Sequence, residues 1–153
     1  MSPDAFTRRC LLKTAALAAL PRLAAAQPSV VARAIPSSGE RMPVLGLGTW
    51  ITFNVGTDTA ARRECAEVMR HFVELGGRMI DSSPMYGSSQ DVVGDGLARL
   101  HAQDRVFAAD KVWTSGDGAA QAQASQKLWR IARFDLLQVH NLLAWEKQLP
   151  LIE

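Results

Sequence analysis

The chain has 153 residues, enough for one ordinary domain, with 17 basic and 15 acidic residues and a formal charge of +2. Four of those basic residues and one acidic residue lie before position 27, so the remainder carries 13 against 14 and a formal charge of −1. That balance leaves no electrostatic footprint for a nucleic acid, and Cys65, the one cysteine beyond position 26, has no partner for a disulfide within residues 27–153.

The amino terminus reads as a leader over residues 1–26. Thr7-Arg8-Arg9-Cys10-Leu11-Leu12-Lys13 precedes a short apolar run from Thr14 to Leu20, and Ala24-Ala25-Ala26 supplies small residues for cleavage. Basic, apolar, then small is the order of a cleavable export signal, and the paired arginines resemble a twin-arginine signal. The expected location is therefore periplasmic or otherwise exported; a plain basic leader would leave the protein in the cytoplasm. The apolar run is far short of the roughly 20 residues a membrane-spanning helix needs, so no stable anchor is expected.

Residues 27–153 alternate strand-like and helix-like stretches. A turn at Pro36-Ser37-Ser38-Gly39 between short apolar pieces predicts a hairpin closing one end of the domain. Val44 to Trp50 reads as the first central strand. A helix follows from Thr57 or Asp58 to Leu75, with Ala61, Cys65, Val68, Phe72 and Leu75 at helical spacing and Gly76-Gly77 as its stop. Arg78-Met79-Ile80 leads as a second strand into Asp81. Ser88 or Ser89 caps a second helix with Val93, Leu97 and Leu100 on one face. Val106 to Ala109 is a third strand ending near Lys111. An Ala- and Gln-rich helix spans 119–133, with Leu128, Ile131 and Ala132 as its core candidates. Leu136 to Val139 is a fourth strand ending at His140, and Trp145 to Glu153 begins a further helix.

Near-continuous apolar strands alternating with helices argue for a parallel sheet covered by helices. Lys111 follows Asp81 by 30 residues, His140 follows Lys111 by 29, and Gly48 precedes Asp81 by 33. A βα unit of ~30 residues fits the (β/α)8 barrel, whose ~250 residues divide into eight such units. That regularity favours the first four units of a barrel, a half barrel, over a doubly wound sheet.

Asp81, Lys111 and His140 each follow the apolar core of a successive strand. In a barrel that rim carries the active site, so the three are expected in one pocket, together with Tyr86 in the loop leaving the second strand. Taken singly, each has a plainer reading. Asp81 suits a turn or a helix cap, Tyr86 a packed loop edge, Lys111 a solvated strand end and His140 a satisfied buried histidine. Thr49 alone would be an ordinary strand residue, and Trp50 and Trp113 ordinary core. Order and spacing together favour the catalytic reading. Gly46-x-Gly48 is not a dinucleotide fingerprint, because Ile51 holds the third glycine position. Cys65, His71 and His101 lack metal-ligand spacing, and no metal is expected.

These motifs together resemble the aldo/keto reductase family. Met42 to Trp50 is similar to its opening strand, Ile80-Asp81-Ser82-Ser83-Pro84-Met85-Tyr86-Gly87 to its Asp–Tyr motif, and Ser89 to Gly94 to the stretch that follows. Ala109-Asp110-Lys111-Val112-Trp113 resembles its lysine strand, and Asp135 to Asn141 its histidine strand. Gln90 stands where an acidic residue is usual, outside the catalytic set.

The resemblance implies reduction of a small aldehyde or ketone by NADPH or NADH, with Tyr86 as proton donor. A free phenol ionises near pH ~10 and a neighbouring cation favours the phenolate; that is the role implied for Lys111, with Asp81 holding the lysine. His140 as a neutral ring would donate a hydrogen bond to the carbonyl oxygen. Gly48, Thr49 and Trp50 are implied at the nicotinamide end, and Trp113 and Asn141 at the substrate. The family's pyrophosphate and adenosine contacts come from the second half of the barrel. Four units alone leave open sheet edges, so the chain is expected to self-associate and to turn over little substrate by itself. The alternative is a non-catalytic binding or interaction protein that keeps the motifs by descent.

Overall fold

The structure, a computed structural model, describes residues 30–152; the export-signal expectation lies outside them. Strands β1 (Ala32–Ala34) and β2 (Arg41–Pro43) pair antiparallel around the expected turn, where Gly39 takes a φ of 72°. The hairpin is fixed to the amino-terminal ends of the other strands. Glu40 pairs with Arg78 at 2.8 Å, and Val30 packs so close to Gly76 that a side chain there would collide with it.

Strands β3 (Leu47–Gly48), β4 (Met79–Asp81), β5 (Phe107–Val112) and β6 (Leu136–Val139) form one sheet, every neighbouring pair parallel and in chain order. Chain-order addition without reversal is how a barrel grows; a doubly wound sheet reverses direction at its switch point. Among the described residues β3 and β6 each pair on one side only. The first strand is much shorter than Val44 to Trp50. The Val44 N–H still bonds to Val31 of the hairpin, Leu45 is exposed, and Ile51 turns the chain with a φ of 63°.

Helices α1 (Thr59–Glu74), α2 (Ser89–Leu100), α3 (Gly118–Trp129) and α4 (Trp145–Ile152) connect and follow these strands. Asp58 caps α1, its carboxylate accepting from the Ala60 and Ala61 N–H groups, and Gly76 ends it with a φ of 91°. The buried side of α1 is Cys65, Ala66 and Met69; Val68 and Leu75 are exposed. The expected face is thus displaced by about a quarter turn. Arg62 occupies the inward side instead, paired with Asp91 of α2 and donating to the Gly56 carbonyl at 2.7 Å.

On α2, Val92, Val93 and Leu97 are buried. The core of α3 is Ala122, Ser125 and Trp129, not Leu128 and Ala132, both exposed. The helix stops at Trp129 because Arg130 turns left-handed, and beyond it Ile131 and Phe134 pack partly on the core. Met69, Ile80, Val93, Leu97, Ala108 and Trp129 meet in one apolar cluster between sheet and helices. Burying such side chains contributes roughly 1.5–3 kcal/mol each and fixes the strand ends above it. No described helix is long and apolar enough to cross a membrane.

Candidate active site

Alternation along the strands decides which side chains share a face. On β5, Ala108, Asp110 and Val112 are buried toward the helices, which leaves Phe107, Ala109 and Lys111 on the opposite, inner side. On β4, buried Ile80 faces the helices and Asp81 the inside. Asp81 is registered with Gly48 on one neighbour and with Ala109 on the other. Lys111 therefore stands two residues farther along the inner face and can reach back to Asp81.

It does so with its whole ammonium group. Nζ donates to Asp81 Oδ1 at 2.6 Å, to Oδ2 at 2.7 Å and to the Ser82 carbonyl at 2.9 Å. An ammonium has three N–H donors, so none remains for Tyr86. Lys111 meets that residue through the ring, 5.3 Å from its centroid. The His140 ring stands edge-on to Tyr86, with centroids 5.5 Å apart and planes at 86°. Burial holds the His140 imidazole below its ordinary pKa, the Lys111 cation adding to the effect and Asp81 opposing it. The ring is therefore neutral near pH 7. All four residues expected at the catalytic rim come together at the carboxyl-terminal ends of their strands.

The loop bearing Tyr86 is held from two sides. Its N–H bonds to the Ser83 carbonyl, and the next residue, Gly87, has a φ of 61° with Asn54 packed where a side chain would go. Asn54 Oδ1 accepts from the Ser88 N–H and hydroxyl, and Ser88 Oγ accepts from the Gly56 N–H. Ser88 thus precedes α2, as expected, but spends its hydroxyl on the loop after β3 rather than on the helix.

The outer pocket residues differ in what they offer. Thr49 is fully buried and donates both its hydroxyl (2.9 Å) and its N–H (3.1 Å) to the Asp81 carbonyl. Its side chain is committed to positioning Asp81. Gly48 has open space where a side chain would project. Trp50 is 63% exposed and Trp113 40%, so neither is core. The backbone of Trp113 is clamped by Gln121 of α3, which accepts from its N–H at 2.6 Å and donates to its carbonyl at 3.0 Å. Asn141 is exposed, with a φ of 54°, in the single turn that follows β6.

Two features of the site were not anticipated from sequence. Ser83 bonds to the His140 ring (2.5 Å); strand parity beyond Asp81 is the signal that would have placed it on the same side. Gln90 is buried behind the site, where it donates to Asp110 at 2.7 Å and to Ser125 at 2.8 Å. Desolvation pushes the Asp110 carboxyl up to about 6, against hydrogen bonds from the Lys111 N–H and Gln90. A second acid at position 90 would face a buried carboxylate, so the amide fits.

An open cavity of 480 Å³ lies at the other end of the sheet, lined by Arg78, Phe107, Arg130 and Asp135 among others and by none of the four rim residues. That cavity is also lined by charged side chains, Glu40, Arg78, Asp104, Arg130, Arg133 and Asp135; the rim differs in bringing a phenol and an imidazole against an ion-paired lysine. Among the described residues, no group of three or more His, Cys, Asp or Glu side chains could hold a metal ion.

The profile of the aldo/keto reductase family matches residues 44–153. The chain is 33% identical to the methylglyoxal reductase YeaE of Escherichia coli over 108 residues, 68% of this chain and 36% of that protein. It is 32% identical to the NADP-dependent D-sorbitol-6-phosphate dehydrogenase of Malus domestica over 111 residues, 68% of this chain and 33% of that one. The match thus spans about a third of these relatives. A crystal structure of an aldo-keto reductase from Klebsiella pneumoniae in complex with NADPH superposes with a TM-score of 0.62 at 22% identity, covering 80% of this chain and 47% of that one. This likeness shows the fold.

Proposed function

The chain belongs to the aldo/keto reductase family, and from that premise we propose that its rim reduces the carbonyl group of an aldehyde or ketone to an alcohol, with NADPH or NADH as reductant. The single observation that carries the reading is the convergence of Lys111, Asp81, Tyr86 and His140 at one set of strand ends.

The nicotinamide ring supplies hydride to the carbonyl carbon when bound. Residues suited to hold it are Gly48, with its open approach, and Trp50, whose aromatic face is exposed at the same rim; Thr49 steadies Asp81 beneath them. Tyr86 gives its phenolic proton to the carbonyl oxygen as negative charge gathers there. Lys111, over the phenol ring, stabilises the charge left behind, and Asp81 keeps it in place. His140, neutral, donates to the same oxygen and aligns the carbonyl. Trp113 and Asn141 bound the substrate side. We read the four βα units as the first half of the barrel. The one-sided pairing of β3 and β6 supports association with further barrel strands, whether from the same polypeptide or from another copy.

Titration with NADPH tests the cofactor step. Quenching of tryptophan fluorescence at micromolar concentration, reduced in Trp50→Phe, is expected; no quenching contradicts the reading and favours a binding protein that kept the motifs by descent. For the leader we propose twin-arginine export, supported by Arg8-Arg9 ahead of the apolar run. An Arg8→Lys/Arg9→Lys double variant should accumulate uncleaved in the cytoplasm, and export like the parent would remove the assignment.

A further inference from the structure

We infer that Ser83 is a positioning residue that sets the tautomer of His140. Ser83 is fully buried, and its Oγ has two polar neighbours among the described residues. The first is the Met85 N–H, 3.2 Å away, which can only donate. The second is His140 Nδ1, at 2.5 Å. The hydroxyl proton therefore has one acceptor within reach, and that is Nδ1. Were Nδ1 to carry the proton instead, Oγ would accept twice and its own proton would be buried without a partner, which native interiors avoid.

With Nδ1 accepting, the proton of the neutral ring sits on Nε2, the opposite nitrogen. The backbone supports the arrangement. Ser83 lies between Asp81 and Tyr86, and its carbonyl receives the Tyr86 N–H at 3.0 Å. One residue thus steadies the proton donor through its backbone and fixes the ring through its side chain. This inference rests on the reading of His140 as the donor that aligns the carbonyl, because only an Nε2–H tautomer of the neutral ring can then serve.

Nitrogen NMR on histidine-labelled chain tests it without any turnover. The sequence has three histidines, so His71→Gln and His101→Gln variants assign the His140 signals. The wild type should show one neutral tautomer, protonated on Nε2. Ser83→Ala should show Nδ1 and Nε2 signals averaged by exchange between both tautomers, and Ser83→Thr, which keeps a hydroxyl, should restore the single form. An averaged or Nδ1-protonated ring in the wild type would overturn the inference, as would an unchanged pure Nε2–H ring in Ser83→Ala. Carbonyl reduction is measured separately on the same samples, with a fall of about tenfold in kcat and little change in KM expected for Ser83→Ala. Wild-type turnover that Tyr86→Phe leaves unchanged, with the tautomers as predicted, would count against the reductase reading and leave the role of Ser83 standing.

Discussion

Asp81 takes the Lys111 ammonium with both carboxylate oxygens, at 2.6 and 2.7 Å, and so fixes where the cation over the Tyr86 ring can stand. Asp81→Asn keeps the size and loses the charge. Lys111 is then free to leave the ring face, and kcat should fall by about 10²-fold while the affinity for NADPH changes little. Steady-state kinetics beside a binding titration check the split.

Asn54 bridges the loop after β3 to the turn behind Tyr86 through two bonds from Ser88. Asn54→Ala should cost about 1–2 kcal/mol of stability and lower kcat several-fold by loosening Tyr86. Urea unfolding and the same kinetic assay measure the two effects, and a stability loss with kcat untouched would detach the bridge from the chemistry.

Gly94 of α2 lies against the Leu128 carbonyl and the Trp129 backbone, so that a methyl group would fall on main-chain atoms. Backbone cannot rotate aside as a side chain can. Gly94→Ala should destabilise the fold by about 3 kcal/mol, at the upper end of the usual overpacking cost, read as a lowered urea midpoint with the slope unchanged.

The buried Asp110 carboxyl, pushed up to about 6 chiefly by desolvation, gives a pH dependence whose sign can be worked out. Its folded value lies above the unfolded one of ~3.9. Between the two the folded state binds the extra proton, so stability falls as pH rises through that window and is flat above it. The loss is on the order of 3 kcal/mol at most. Asp110→Asn should remove this slope, and the difference between wild-type and variant unfolding curves from pH 4 to pH 7.5 isolates it.

Much of the site was legible because barrel chemistry repeats with the βα unit. Asp81, Lys111 and His140 recur at ~30-residue steps, and the strands that carry them are apolar enough to recognise. The helix faces were harder. On α1 the apolar residues spread over more than the buried stripe, and sequence gives no sign that Arg62 turns inward to meet Asp91. On α3 small residues give little contrast, and Trp129 anchors the helix where Leu128 and Ala132 were expected. The opening strand read too long because Val44 and Leu45 are as apolar as paired residues, although Val44 is bonded to the hairpin. The roles of Ser83 and Gln90 were not legible because short polar side chains acquire meaning only from their partners, 57 and 20 residues away.

The central claim is that the Tyr86 phenol delivers the proton in carbonyl reduction. Single-turnover oxidation of NADPH by a reactive aldehyde, compared between the parent chain and Tyr86→Phe, tests it most directly. The account predicts a rate that falls by 10²-fold or more, about what a positioned general acid contributes, with fluorescence quenching by NADPH retained. Equal rates in the two proteins would contradict it.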